Sequence, residues 1–410
     1  MNTLTTIANE MREILSEKMI PFWLDRSIDE KYGGYLTCID ENGKVSAGAN
    51  KMIITQTRML WGFSALRDFV HEKYIGQAES AARQGYNFLI NYFWDEQHGG
   101  FRWETDRKGS SVDDGKLIYA QSFAIYALSE YFLRYNDPSA LEYAEKTFDL
   151  LQIYAADTLY GGYFENLERD WSRAAGGVYA GDRKSLDIHM HLMEAFTVLY
   201  QASQKEIHRR KLAEVTGVIV EHMINKESGY GLNQFDASFK SLPAINIYRT
   251  WNADRESNEM IAEPADTTSY GHNVELSWLL HRATGEEYEP VIKKLLDHSL
   301  LYGYDYEFGG VYRDGIGNMP ALVKDKEWWQ NFESIVGYLN GYALFNDERY
   351  LEAFYQTWEF IKKYFIIEEF GESRQLLNRT GTPIISDVGN VWKGIYHTGR
   401  ALYECIRRIK

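Results

Sequence analysis

The chain has 410 residues, 45% of them apolar and 25% charged, a globular composition that excludes disorder. Its net charge of −15 and the lack of any basic run leave no surface for counterion release, so neither nucleic acid nor an anionic membrane is an expected partner. Two cysteines, Cys38 and Cys405, are too few for a disulfide framework or a zinc cluster, and the charged segment 1–26 lacks the apolar core of a signal peptide, so a reduced, cytoplasmic protein is expected.

In chain order, an amphipathic helix over 5–22 leads into the turn Tyr32-Gly33-Gly34-Tyr35, and then into a helix over 51–69 that is apolar nearly all round. The same unit returns as 77–93, His98-Gly99-Gly100-Phe101 and 115–134, and again as 138–154, Tyr160-Gly161-Gly162-Tyr163 and 185–202. A fourth copy runs 206–225, Ser228-Gly229-Tyr230-Gly231 and 270–283. The fifth is 288–301, Phe308-Gly309-Gly310-Val311 and 328–345, and the sixth is 348–365, Phe370-Gly371-Glu372 and 391–408. The leading glycines stand at 33, 99, 161, 229, 309 and 371. The wide fourth interval places an inserted loop over 244–268, the kind of long connection that serves as a lid.

Six amphipathic helices alternating with six fully apolar ones predict an all-α fold, an (α/α)6 barrel of twelve helices with short β-hairpins at one end, in a single domain spanning 1–410. A linear solenoid also repeats helix pairs, but it gives no reason to bury one helix of each pair on every face.

Polar groups on the apolar helices therefore need a reason. Arg58, Tyr119, Asp187 with His191 and Glu194, His272 with Glu275, Trp329 with Glu333, and His397 with Arg400 mostly fall in the first two turns, and so converge on one barrel mouth. Asp187, His191 and Glu194 follow i, i+4, i+7 and share a face, whereas His189 points elsewhere and is expected to be structural. His191/Glu194 and His272/Glu275 also carry the His-x-x-Glu spacing of bundle metal sites, but the matching carboxylates on facing helices are not evident in the sequence, and no metal is expected.

Trp329 and Trp392 suit stacking on a sugar ring. Glycoside hydrolysis would need a pair of carboxylates. Proton abstraction beside a carbonyl instead favours histidines, with a cation for the developing enediolate, and three histidines with Arg58 match that chemistry better. A non-catalytic sugar-binding protein is the alternative from another class.

The segments Thr55-Gln56-Thr57-Arg58, Tyr119-Ala120-Gln121-Ser122, His189-Met190-His191, Ser269-Tyr270-Gly271-His272-Asn273-Val274-Glu275, Trp328-Trp329 with Glu333, and Trp392-Lys393-Gly394-Ile395-Tyr396-His397-Thr398-Gly399-Arg400 together resemble the N-acylglucosamine 2-epimerase superfamily, in its cellobiose and mannose 2-epimerase branch. The resemblance covers the whole chain. It implies ring opening assisted by His191, and removal and return of the C2 proton by His272 and His397 through an enediolate stabilised by Arg58. Tyr119, Asp187, Glu275, Trp329, Glu333 and Trp392 would hold the sugar, and no cofactor is implied. Asp187, Ile395 and Thr398 depart from the disaccharide epimerases, which favours free mannose or glucose over a β-1,4 disaccharide. An aldose–ketose isomerase is the neighbouring alternative, and the sequence leaves monomer and homodimer open.

Overall fold

The computed structural model describes residues 3–174, 181–242 and 266–409. The predicted insertion lies outside these residues, apart from 266–268 at its end.

Helices α1 (Thr3–Glu13) and α2 (Ile20–Arg26) form one rod, joined without a break by a π-turn. The remaining outer helices are α4 (Ile75–Phe88), α6 (Pro138–Leu150), α8 (Glu206–Val218), α10 (Glu289–His298) and α12 (Glu348–Phe360), each ending in a π-turn. The inner helices are α3 (Ile53–Ala65), α5 (Ile118–Tyr135), α7 (Leu186–Ser203), α9 (Tyr270–Thr284), α11 (Trp328–Phe345) and α13 (Tyr396–Arg408). Burial follows the sequence pattern. On α6 only Ala140, Ala144, Thr147 and Phe148 are buried, a stripe at helical spacing, whereas in α3 every residue except Ala65 is buried.

The inner helices pack in order, α3 on α5, α5 on α7, and so on to α11 on α13, and α13 packs back on α3. This last contact closes the ring and excludes the solenoid. It depends on Gly62: a Cβ there would stand 2.2 Å from Ile395 Cγ2, so only glycine lets α3 approach the start of α13 so closely. The predicted inner helix over 391–408 begins only at Tyr396. Residues 391–395 form an irregular approach, so Trp392 sits ahead of the helix and not on it.

The two barrel ends are built differently. At one end two residues suffice for three of the turns from inner to outer helix, with Asn136, Gln204 and Asn346 in left-handed conformation as helix terminators, while α3–α4 and α9–α10 are joined by longer links containing 3-10 turns. The other end carries the Gly-Gly turns, in which Gly33 and Gly34 take φ of +82° and +67°.

Here the short strands preceding five of the inner helices pair with the strand after the next turn. Thus β1 (Lys51–Met52) pairs with β2 (Glu104–Thr105), β4 (Lys116–Leu117) with β5 (Asn166–Leu167), and β6 (Lys184–Ser185) with β7 (Gln234–Phe235). Likewise β8 (Thr267–Ser269) pairs with β9 (Asp314–Ile316), and β10 (Lys326–Glu327) with β11 (Leu376–Leu377). The bridge Ile39–Gly389 joins the sixth unit to the first, giving this end a closed ring as well.

Two polar devices hold these connections, and neither is visible as a motif in a single unit. Lys51, Lys116, Lys184 and Lys326 are buried against Asp29, Asp95, Asp157 and Asp305 at 3.0, 3.1, 2.7 and 3.0 Å. In the fourth unit both partners are replaced together, by Thr268 and Asn225, as expected where one member alone would leave a buried unpaired charge. On each of five inner helices, a side chain in the first turns accepts the N–H that follows a glycine turn: Gln56 from Tyr35, Gln121 from Phe101, His189 from Tyr163, Asn273 from Gly231 and Asn331 from Val311, all at 2.9 Å. His189 is one of these anchors, which accounts for its buried imidazole without any chemistry.

Candidate active site

The first turns of the six inner helices point into the strand-bearing end, and the polar groups expected there do meet. They form two layers.

The deeper layer is centred on Arg400, a fully buried guanidinium that the sequence reading placed beside His397 but gave no role. It contacts Glu194 and Glu275 closely, and reaches Glu333 Oε1 at 2.6 Å. Tyr396, one helical turn earlier, donates to both oxygens of Glu194 at 2.8 Å. The carboxylates that a metal site would require therefore do converge from facing helices, contrary to the sequence reading. Glu275, Glu333 and His397 are grouped closely enough to ligate an ion, but the guanidinium already occupies the cation position among those acids. Glu275 and Glu333, expected to hold the sugar, expose no surface; Glu275 contacts Arg400, and Glu333 contacts Arg400 and His397. Tyr396 was missed because an aromatic on an apolar helix reads as core; its i, i+4 spacing to a buried arginine was the available signal.

The upper layer holds the three histidines. His397 Nδ1 lies 2.8 Å from Glu333 Oε1. Glu333 receives donors on both oxygens, Arg400 on Oε1 and the Trp278 indole N–H on Oε2 at 3.2 Å, so His397 Nδ1 carries the hydrogen and Nε2 is left as an acceptor. Burial, together with the positive charges of Arg58 and Arg400, drives the His397 imidazolium well below the usual histidine range. Burial and the neighbouring Glu275 and Glu194 push Glu333 up, against the pull of Arg400.

His272 and His191 are biased the other way. Asp187 Oδ1 lies 3.4 Å from His272 Nε2 and 3.3 Å from His191 Nε2. Burial opposes protonation of both, but the carboxylate outweighs it and His272 is raised. His191 also meets Glu194 through Nδ1 at 3.1 Å and is raised to about 9, an imidazolium held from both sides. The surroundings thus bias two histidines of one mouth in opposite directions, His272 toward the imidazolium and His397 toward the neutral ring, the kind of difference that separates an acid from a base. Trp329 lies between them, its ring centroid 4.6 Å from His272 and 5.8 Å from His397.

Arg58 completes the layer. It donates to the Trp392 carbonyl at 2.6 Å and the Tyr119 hydroxyl at 3.0 Å, both neutral, and its cation lies 4.5 Å from the Phe123 ring centroid. A buried guanidinium with neutral partners is a standing receptor for developing negative charge. Tyr119, Asp187 and Trp392 also line a cavity of about 730 Å³ that extends outward past Trp103 and Asp113. No helix among the described residues is long and apolar enough to cross a membrane.

A closed (α/α)6 barrel whose mouth brings together oppositely biased histidines and an arginine with no carboxylate partner among the described residues has the parts of an acid–base isomerase. Residues 34–401 match the family model of N-acylglucosamine 2-epimerase. The chain is 30% identical to cellobiose 2-epimerase of Bacteroides fragilis over 98% of each chain, and 23% identical to D-mannose isomerase of Marinomonas mediterranea over 96% of this chain and 95% of that one. The solved structure of cellobiose 2-epimerase from Bacillus thermoamylovorans superposes with a TM-score of 0.86 at 28% identity, covering 98% of this chain and all of that one. The chain belongs to the N-acylglucosamine 2-epimerase family. It is an isomerase, a sugar 2-epimerase.

Proposed function

We propose that the enzyme inverts C2 of the reducing-end aldose of a β-1,4-linked disaccharide such as cellobiose, by proton removal and return between His397 and His272. The observation that carries this reading is the pair of histidines on either side of the Trp329 ring, each held by a different carboxylate, His272 by Asp187 and His397 by Glu333. His191, protonated and held by two carboxylates, assists opening of the sugar ring as an acid. In the open form His397 Nε2 takes the C2 proton. The electron pair moves into the carbonyl, and the resulting enediolate lies against Arg58. Rotation about C2–C3 presents the other face, His272 delivers a proton to C2, and the ring recloses. Starting from the other epimer, the two histidines exchange roles.

The disaccharide is favoured by the cavity, which continues well beyond Asp187 and falls within the range of sites that bury ligands larger than one sugar. The relatives named cellobiose 2-epimerase point the same way. The three departures that favour free mannose or glucose have local roles here. Asp187 tethers two histidines, Ile395 fills the space over Gly62, and Thr398 donates to Glu372 at 2.9 Å. None of them measures substrate length.

The test is incubation with cellobiose, and separately with mannose, in heavy water. Deuterium at C2 of both epimers is expected, with cellobiose the better substrate. A ketose product would assign the enzyme as an aldose–ketose isomerase. Absence of deuterium from every aldose tried would refute the proton-transfer reading, and cleavage of the glycosidic bond would indicate a hydrolase.

A further inference from the structure

The wall of the cavity contains an acid that the chemistry above does not use. Glu165 follows the third Gly-Gly turn, directly ahead of β5, and is 5% exposed. Its backbone carbonyl accepts the Ile118 N–H at 2.9 Å, which fixes it beside Tyr119 at the start of α5. Its side chain lines the same cavity as Tyr119 and Asp187, and its Oε1 is buried without a hydrogen-bond partner. Burial pushes this carboxyl up to about 7, against hydrogen bonding from Ser185.

The other acids of the throat are paired with cations, although the Gln234 side-chain oxygen on the same wall is, like Glu165 Oε1, buried without a hydrogen-bond partner. Asp187 serves two imidazoles, the Tyr119 hydroxyl receives Arg58, and Glu194, Glu275 and Glu333 surround Arg400. An acceptor held out of water without a donor is costly unless a ligand supplies one. A sugar is rich in hydroxyl donors, and Glu165 faces the cavity that Tyr119 and Asp187 also line.

We propose that Glu165 is a substrate-binding residue, its free carboxyl oxygen accepting a hydroxyl of the sugar unit whose C2 reacts. This inference rests on the epimerase reading. Glu165 touches substrate but moves no proton, so it contributes to binding in ground state and transition state alike.

The experiment compares wild type, Glu165→Gln and Glu165→Leu. It measures KM and kcat on the better aldose, the inhibition constant of mannitol (an unreactive open-chain monosaccharide), and the thermal midpoint. The leucine variant should raise both KM and the mannitol constant about tenfold, the loss of one hydrogen bond to a polar partner, with kcat within about threefold. Glutamine keeps an acceptor and should recover most of the affinity. Unchanged mannitol inhibition in the leucine variant would overturn the proposal, as would a kcat loss as large as the rise in KM. If leucine does not fold, Glu165→Ala takes its place with the same expectation, and a folded alanine variant whose mannitol inhibition is unchanged overturns the proposal. Wild type that exchanges no C2 proton would fail the epimerase reading instead, a result the mannitol measurement does not depend on.

Discussion

Replacing Asp187 by asparagine removes one negative charge from a site where it acts on two imidazoles, and keeps the shape and an acceptor oxygen. At the observed separations of 3.3 and 3.4 Å, a pair of unit charges interacts by about 1.2 kcal/mol in bulk water and about 5 kcal/mol at an effective dielectric constant of ~20. The Asp187 side chain is 36% exposed, so solvent screening draws the interaction toward the lower figure. A working value of ~1.4–2.8 kcal/mol corresponds to about one to two pKa units on each histidine. The sign is fixed, because the carboxylate favours the imidazolium and its loss lowers both pKa values. His272 must be protonated to deliver a proton, so the alkaline limb of the kcat/KM profile should move down by that one to two units. His397 must be neutral, and it answers to burial, Arg58 and Arg400, so the acid limb should stay in place. Initial rates of C2 deuterium incorporation across pH provide both limbs. An alkaline limb that does not move, or a uniform loss of rate without displacement, would refute this account of how His272 is held protonated.

Arg58→Met should lower kcat by about 10²–10³ while KM changes little, since the cation acts on charge that exists only in the enediolate; single-turnover exchange in heavy water would measure it. His397→Asn and His272→Asn should each abolish epimerisation, yet each should still exchange the C2 proton of one epimer, and of opposite epimers in the two variants, as seen by NMR of the separated sugars. Lys326→Ala leaves Asp305 with Arg379 and two backbone N–H groups but without its buried ammonium, and should cost about 1–3 kcal/mol in denaturant unfolding. Gly62→Ala forces a methyl into Ile395, and should destabilise the fold by about 1–3 kcal/mol without altering any group that touches sugar.

Periodicity carries the barrel because full burial of one helix in each pair has only a closed ring as its solution, and α3 against α13 supplies it. The histidines and Arg58 were legible for the same reason, since an ionisable group on an all-apolar helix stands out. Arg400 satisfied that criterion equally well, and its role as the hub of three carboxylates is invisible because Glu194, Glu275 and Glu333 lie on three other helices. Glu165 could not be read at all. It lies on a hairpin, where an acid is unremarkable, and only the paired strands β4 and β5 bring it to the mouth. The start of α13 was misjudged because Trp392 and Ile395 continue the apolar pattern across residues that are not helical.

The seam where the ring closes also has a consequence in time. Trp23 donates to Glu372 across 349 positions of sequence, and Arg58 to the Trp392 carbonyl across 334. Such contacts cannot form on the ribosome until nearly the whole chain has emerged, and their loop-closure entropy is among the largest in the molecule. Arg58 comes from the first unit and His397 from the sixth, so every earlier intermediate, however compact, holds the enediolate-stabilising cation apart from the histidine beside which it acts. Recovery of C2 exchange during refolding should therefore follow the last closing step, and the enzyme's own turnover becomes a clock for completion of its topology.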